Sequence, residues 1–123
     1  MSDQRRAGII QLQVDGEILD AKGNFTYNIG RPKREAIIGS DGTVHGYKEI
    51  VQVAFIEGEI TDRGDLDVEA MISMTDGTVT LALANGKTVV LRSAWYAGEG
   101  TGNTEEANIP VRWEGLNGEE LPA

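Results

Sequence analysis

The 123-residue chain contains no cysteine, one histidine (His45), three prolines and few aromatic residues. Without thiols there is no disulfide framework, no thiolate metal site and no cysteine nucleophile. A lone histidine needs a nucleophile and an orienting carboxylate to become catalytic, and no such pattern accompanies His45, which lies among loop glycines and reads as a turn residue. Metal binding would fall to carboxylates alone. No segment approaches the ~20 apolar residues of a membrane span, and no signal-length apolar run follows the arginines of MSDQRR, so the expectation is a soluble chain without membrane insertion. Positive charge is also scarce. Eleven Lys and Arg face 20 Asp and Glu, a net −9 that argues against general affinity for nucleic-acid phosphates. The composition points away from an enzyme and implies no cofactor.

What is abundant is glycine, 16 residues, with strand-like alternation between turn signals. In IIQLQVDGEILDA (9–21), Asp15-Gly16 predicts a type I′ hairpin in which Leu12 faces Leu19 and Ile10 faces Ala21. NFTYNI (24–29) predicts a half-buried strand, and IVQVAFIEGEI (50–60) a strand covered on both sides with a bulge at Gly58. DLDVEAMISMT (65–75) predicts a helix capped by Asp65, with Leu66, Ala70, Met71 and Met74 on one side. A second hairpin is expected over 78–96 around Asn85-Gly86, where a strict two-residue turn would set Leu83 against Thr88, so a bulge or longer loop must adjust the register. Residues 97–108 read as a polar surface loop. IPVRWE follows, with Ile109, Val111 and Trp113 alternating and Pro110 marking an edge or irregular strand. Together these predict one domain over 1–123, mainly β, an antiparallel sandwich or barrel with one short helix, with 1–7 and 116–123 flexible.

Three motifs carry chemistry only superficially. Asp65, Asp67 and Glu69 have the opening spacing of a calcium loop, but Ala70 stands where that loop demands glycine and Asp76 where it demands glutamate. GEGTG (98–102) precedes no helical pattern that would present an N-terminus to a phosphate. Asn24-Phe25-Thr26 is a glycosylation sequon in a chain with no secretory signal.

The stretch RPKREAIIGSDGTVHGYKE (31–49) is different. It gathers Arg31, Lys33, Arg34 and Lys48 in an acidic chain, has no core pattern over a length unusual for a connection, and includes apolar Ile37 and Ile38. It reads either as a solvated charged loop or as an arm that contacts another protein, for which a second, acidic copy is a ready counterpart.

That stretch, together with GNFTYNIG, FIEGEITDR, LANGKTVVLRSAWYAGEG and NTEEANIPVRWEG, resembles the tail tube proteins of Mu-like contractile-tailed bacteriophages over about residues 8–115. The resemblance implies a structural virion protein, assembled in the host cytoplasm, whose hexameric rings stack into the inner tube of a contractile tail. Its partners would be further copies of itself, the sheath, the tape measure, and the baseplate and tail terminator proteins, with DNA passing through the lumen unbound. It implies an extended loop or hairpin over 30–49 that reaches the next ring, making Arg31, Lys33, Arg34, Ile37, Ile38, His45, Tyr47 and Lys48 candidate contacts. Glu57 and Glu59 are candidate lumen-facing acids that would repel phosphates. A monomeric sandwich binding a ligand between loops 39–46 and 98–102, or the tube of a phage-tail-like injection device, are the alternatives.

Overall fold

The computed structural model describes residues 10–122. Nine strands run β1 (Gln11–Val14), β2 (Glu17–Leu19), β3 (Ala21–Asn28), β4 (Lys33–Ile38), β5 (Val44–Ile50), β6 (Ala54–Thr61), β7 (Gly77–Ala82), β8 (Thr88–Tyr96) and β9 (Asn108–Leu121), with one helix, α1 (Val68–Ile72), before β7. Seven strands form an antiparallel sheet in the order β2-β1-β7-β8-β9-β6-β3, while β4 and β5 pair only with each other.

The sheet curls almost into a barrel because its two end strands are consecutive in the chain. β2 pairs with β1, the chain turns at Asp20, and β3 pairs with β6 at the opposite end of the strand order. Thr61 N donates to Asp20 O at the corner, so this segment ties one side of the sheet to the other. The core is the enclosed face: Leu12, Ile56, Ile60, Val79, Leu81, Leu91 and Trp113 are all fully buried.

The first hairpin forms as its turn residues dictate, with Asp15 and Gly16 both at positive φ and Leu12 opposite Leu19. Ile10 does not face Ala21, however. Ala21 has already crossed the corner and pairs with Ile60. In the second hairpin Ala82, not Leu83, stands opposite Thr88, and Leu83 N closes the longer loop on Lys87 O. That slip places Leu81 against Val89 and Val79 against Leu91, so apolar residues share a face. Beyond them Ser93, at φ 51, marks a second adjustment before Gly77 meets Ala94.

Several expectations are corrected. β6 starts at Ala54, not 50, and buries only alternate residues. Gly58 is no bulge: it stands in regular register with Val111, while the irregularity lies opposite, between Lys22 and Thr26. Glycine is required there because the Phe25 ring sits where a Cβ would be, 2.7 Å away. The helix is shorter than 65–75 and is capped by Asp67, whose side chain accepts from Ala70 N, while Asp65 pairs with Arg63. Met71 enters the core and Ala70 is exposed. The helix ends at Ile72 with Ser73 as its C-cap, and just beyond it Met74 O accepts from Tyr96 N, which ties the chain back to the sheet. β9 is not an edge strand: it runs between β6 and β8. Pro110 is tolerated because pairing with β8 begins only at Trp113, so the proline has a strand on one side alone. Nor is the chain frayed at 116–121, where β9 stays paired with β8 as far as Leu121. The segment 1–7 lies outside the described residues.

Candidate assembly surfaces

Residues 31–50 fold into a hairpin arm whose side chains, apart from the partly covered Ile50, are exposed. Asp41 builds its turn by accepting from Thr43 Oγ1 at 2.7 Å and Thr43 N at 3.1 Å. Those bonds hold the Asp41 carboxyl below the usual carboxylate range. His45 Nε2 lies 3.0 Å from Thr43 Oγ1 and 3.6 Å from the Asp41 carboxylate; it is not the turn residue that its neighbouring glycines suggest but the second residue of β5, reaching back to the turn.

The register divides the arm's residues into unlike groups. Ala36 is opposite Tyr47, and Ile38 is opposite Val44 across an irregularity. Ile38, Val44 and Tyr47 are 59%, 65% and 58% exposed, an apolar group left largely uncovered by the described residues. Nearer the root, Arg34 meets Glu49 at 3.5 Å and stacks its guanidinium 5.1 Å from the Tyr47 ring centroid. Lys33 lies 3.8 Å from Glu35, and Lys48 stands opposite Glu35 in register. Arg31 is at the root, donating to Ile29 O and, across the fold, to Gly118 O, both at 3.2 Å. Gln52 donates to Arg31 O at 2.8 Å. Part of the basic cluster therefore has internal partners: four cations share this segment with Glu35, Asp41 and Glu49, and the arm exposes an apolar group beside its charged one. Ile37, 43% exposed, lies between Ala36 and Ile38 and so faces the other side of the hairpin.

The two glutamates singled out on β6 differ. Glu57 Oε2 accepts from Arg112 at 3.0 Å, and Arg112 Nε donates to Glu114 at 2.9 Å. Arg112 also lies 4.2 Å above the Phe55 ring. Partial burial pulls the Arg112 pKa down, but Glu114 and Glu57 outweigh it and hold it above the ordinary arginine value. Glu57 thus shares one guanidinium with Glu114, whereas Glu59 stands in register between Lys22 and Pro110. Glu57 and Glu59 border a hollow shared with loop residues 98–101. Loop 39–46 is at the arm's turn, and the hollow beside loop 98–101 does not include it.

A surface that sequence reading missed lies where the arm joins the barrel. Val51 is 87% and Leu116 80% exposed, the two most exposed large apolar residues described. With Val53 and Trp95 they line a shallow hollow that also includes Arg31. Val51 and Val53 lie inside the apolar run whose composition predicts a strand, and Leu116 lies in a glycine-flanked tail, so neither stretch signals a surface.

A family model described as phage tail tube protein matches residues 3–120. The tail tube protein of Escherichia phage Mu is 27% identical over 99 residues, covering 80% of this chain and 82% of that protein. Among solved structures, the sheath/tube terminator of the extracellular contractile injection system PVC aligns at a TM-score of 0.68 and 11% identity, covering 94% of this chain and 95% of that one. The PVC sheath-tube complex aligns at 0.64 and 11%, covering 100% and 99%. The tube-terminating cap of the anti-feeding prophage gives 0.64 and 9%, covering 93% and 88%. At these identities the solved structures show a shared fold, a mostly antiparallel, barrel-like sheet with one short helix.

Proposed function

The chain belongs to the phage tail tube family, and from that premise we propose that it polymerises as hexameric rings stacked into the inner tube of a contractile tail, through which DNA leaves the virion. Phage tail tube proteins are structural components of the virion. The observation that carries the stacking is the arm, a self-paired hairpin whose apolar residues are left in water by its own barrel. Isolated hairpins are marginal in water, so one held out from a folded domain gains most from a partner surface. A contact between unlike surfaces of identical copies closes into a ring where its rotation permits and otherwise repeats into a filament, as ring-on-ring stacking would.

The charge supports the conduit. Each copy carries −9, and an acidic bore repels phosphates over about 8 Å at physiological salt, enough to keep DNA off the wall without obstructing it. With Glu57 held by Arg112, Glu59 is the better candidate of the pair for a lumen-facing acid. Within this reading the sheath surrounds the tube, the tape measure occupies it during assembly in the host cytoplasm, and baseplate and terminator proteins close its ends. The likeness to contractile injection system structures supports a tube of a phage-like injection device as the second form of the same function.

Negative-stain microscopy with sedimentation velocity of the purified protein tests the reading. Rings or hollow tubes of uniform width are expected. A strictly monomeric species across protein concentration and salt overturns it, and saturable binding of a small ligand by that monomer would establish the ligand-binding alternative instead.

A further inference from the structure

We propose that the hollow at the arm's root, formed by Val51, Val53, Trp95 and Leu116 with Arg31 at its margin, is the socket that receives the apolar end of the arm of a second copy. The inference rests on the tube reading and names the surface that reading lacks. Each copy carries two unlike apolar surfaces. One is the arm's Ile38, Val44 and Tyr47, and the other is the root hollow of about 250 Å³. They do not satisfy each other within one chain, because Val51 and Leu116 remain 87% and 80% exposed beside their own arm.

Three features favour a second copy as the occupant. The apolar content matches on both sides, and burying it is the main available driving force, since the nearby Arg34–Glu49 and Arg92–Glu119 pairs are already formed in the same chain. The charges at the ends also match. Asp41 at the arm's turn is an exposed carboxylate, and Arg31 at the hollow's margin is an exposed guanidinium. Finally, the socket borders the root of its own arm, because Arg31 and Val51 are the two ends of the same hairpin segment. An arm seated there would therefore lie against the next arm's base, so that arm and socket alternate in one continuous strip from copy to copy. Such a contact is heterologous and propagates past two copies, around a ring or along a filament, whereas an arm-to-arm contact would be self-complementary and stop at a dimer.

The absence of cysteine makes the test clean. The parent chain is first scored for assembly, then Val44→Cys, Leu116→Cys and the double variant are oxidised or bridged with a short bis-maleimide and run under denaturing conditions. The double variant is expected to give a ladder extending well past the dimer, while each single variant gives none. If the parent assembles but the double variant yields no ladder, or only dimers, the socket is refuted and the tube reading stands. If the parent never assembles, both fall. Leu116→Glu supplies a second measurement at a position whose exposure makes the fold insensitive to it. An unchanged thermal transition with at least a tenfold rise in the concentration needed for assembly is expected, and assembly at the parent's concentration refutes the socket.

Discussion

An armless variant separates folding from assembly. Residues 31–53 are replaced by a two-residue turn joining Gly30 to Ala54, which already touch: a Cβ on Gly30 would lie 3.0 Å from the Ala54 nitrogen. The barrel's ends are therefore held together without the arm. What the barrel loses is the Arg31 hydrogen bond to Gly118 O, a charge-assisted bond worth about 1.5–3 kcal/mol at most. Shortening the connection offsets this, since closing a loop about ten times shorter saves roughly 2 kcal/mol of chain entropy. The apolar residues removed were mostly exposed and contribute little to the core. The balance is about 1 kcal/mol either way, a Tm change within about 5 °C for a domain of this size. Circular dichroism melts check the fold and sedimentation velocity checks assembly. A Tm drop beyond about 10 °C would show that the arm is part of the core, and tubes formed as readily as by the parent would show that it is not the interlock.

Further expectations concern the barrel and the arm's turn. Gly58→Val should cost about 1–3 kcal/mol in urea unfolding by forcing the Phe25 ring aside, and combining it with Phe25→Ala should cost less than the sum of the two; an additive pair would mean that the ring is not the obstacle. Trp113 is fully buried and its Nε1 has no partner among the described residues, so Trp113→Phe removes an orphan donor and should cost under about 2 kcal/mol, against about 3–5 for Trp113→Ala. Equal losses would contradict that. Because the Asp41 pKa is lowered by its Thr43 bonds, its support of the turn is complete above the ordinary carboxylate value near 3.9 and is lost as pH falls through the lower folded value. NMR titration of Asp41 should show a midpoint below the ordinary value that returns upward in Thr43→Ala, and an unmoved midpoint would exclude the bond as its cause.

The turns were the most legible part of the fold. Asp15-Gly16 fixed both the conformation and the Leu12–Leu19 pairing, because two positive-φ residues admit few alternatives. The long-range order was less so. Nothing local reveals that β9 inserts between β6 and β8, and Pro110 suggested the opposite because its one-sided pairing depends on where β8 ends. Gly58 showed the same limit, since its need for glycine comes from Phe25 on another strand. The arm was visible as a stretch without a core pattern. Its chemistry was not: counting Lys and Arg cannot show that Arg34 closes on Glu49 across a hairpin or that Arg31 turns back to Gly118. The socket was harder still, because Val51 and Leu116 meet only after the chain has folded.

The place of β9 has a consequence for how the chain acquires its shape. It supplies Ile109, Val111 and Trp113 to the core and is the last described strand to leave the ribosome. Until it does, β6 and β3 can pair on one side and β1, β2, β7 and β8 on the other, linked at the Asp20 corner, but the gap between β8 and β6 stays open. Closure relies on partners far apart in sequence, which makes the final step slow relative to the hairpins. A nascent subunit is thus held incomplete until synthesis has passed residue 121.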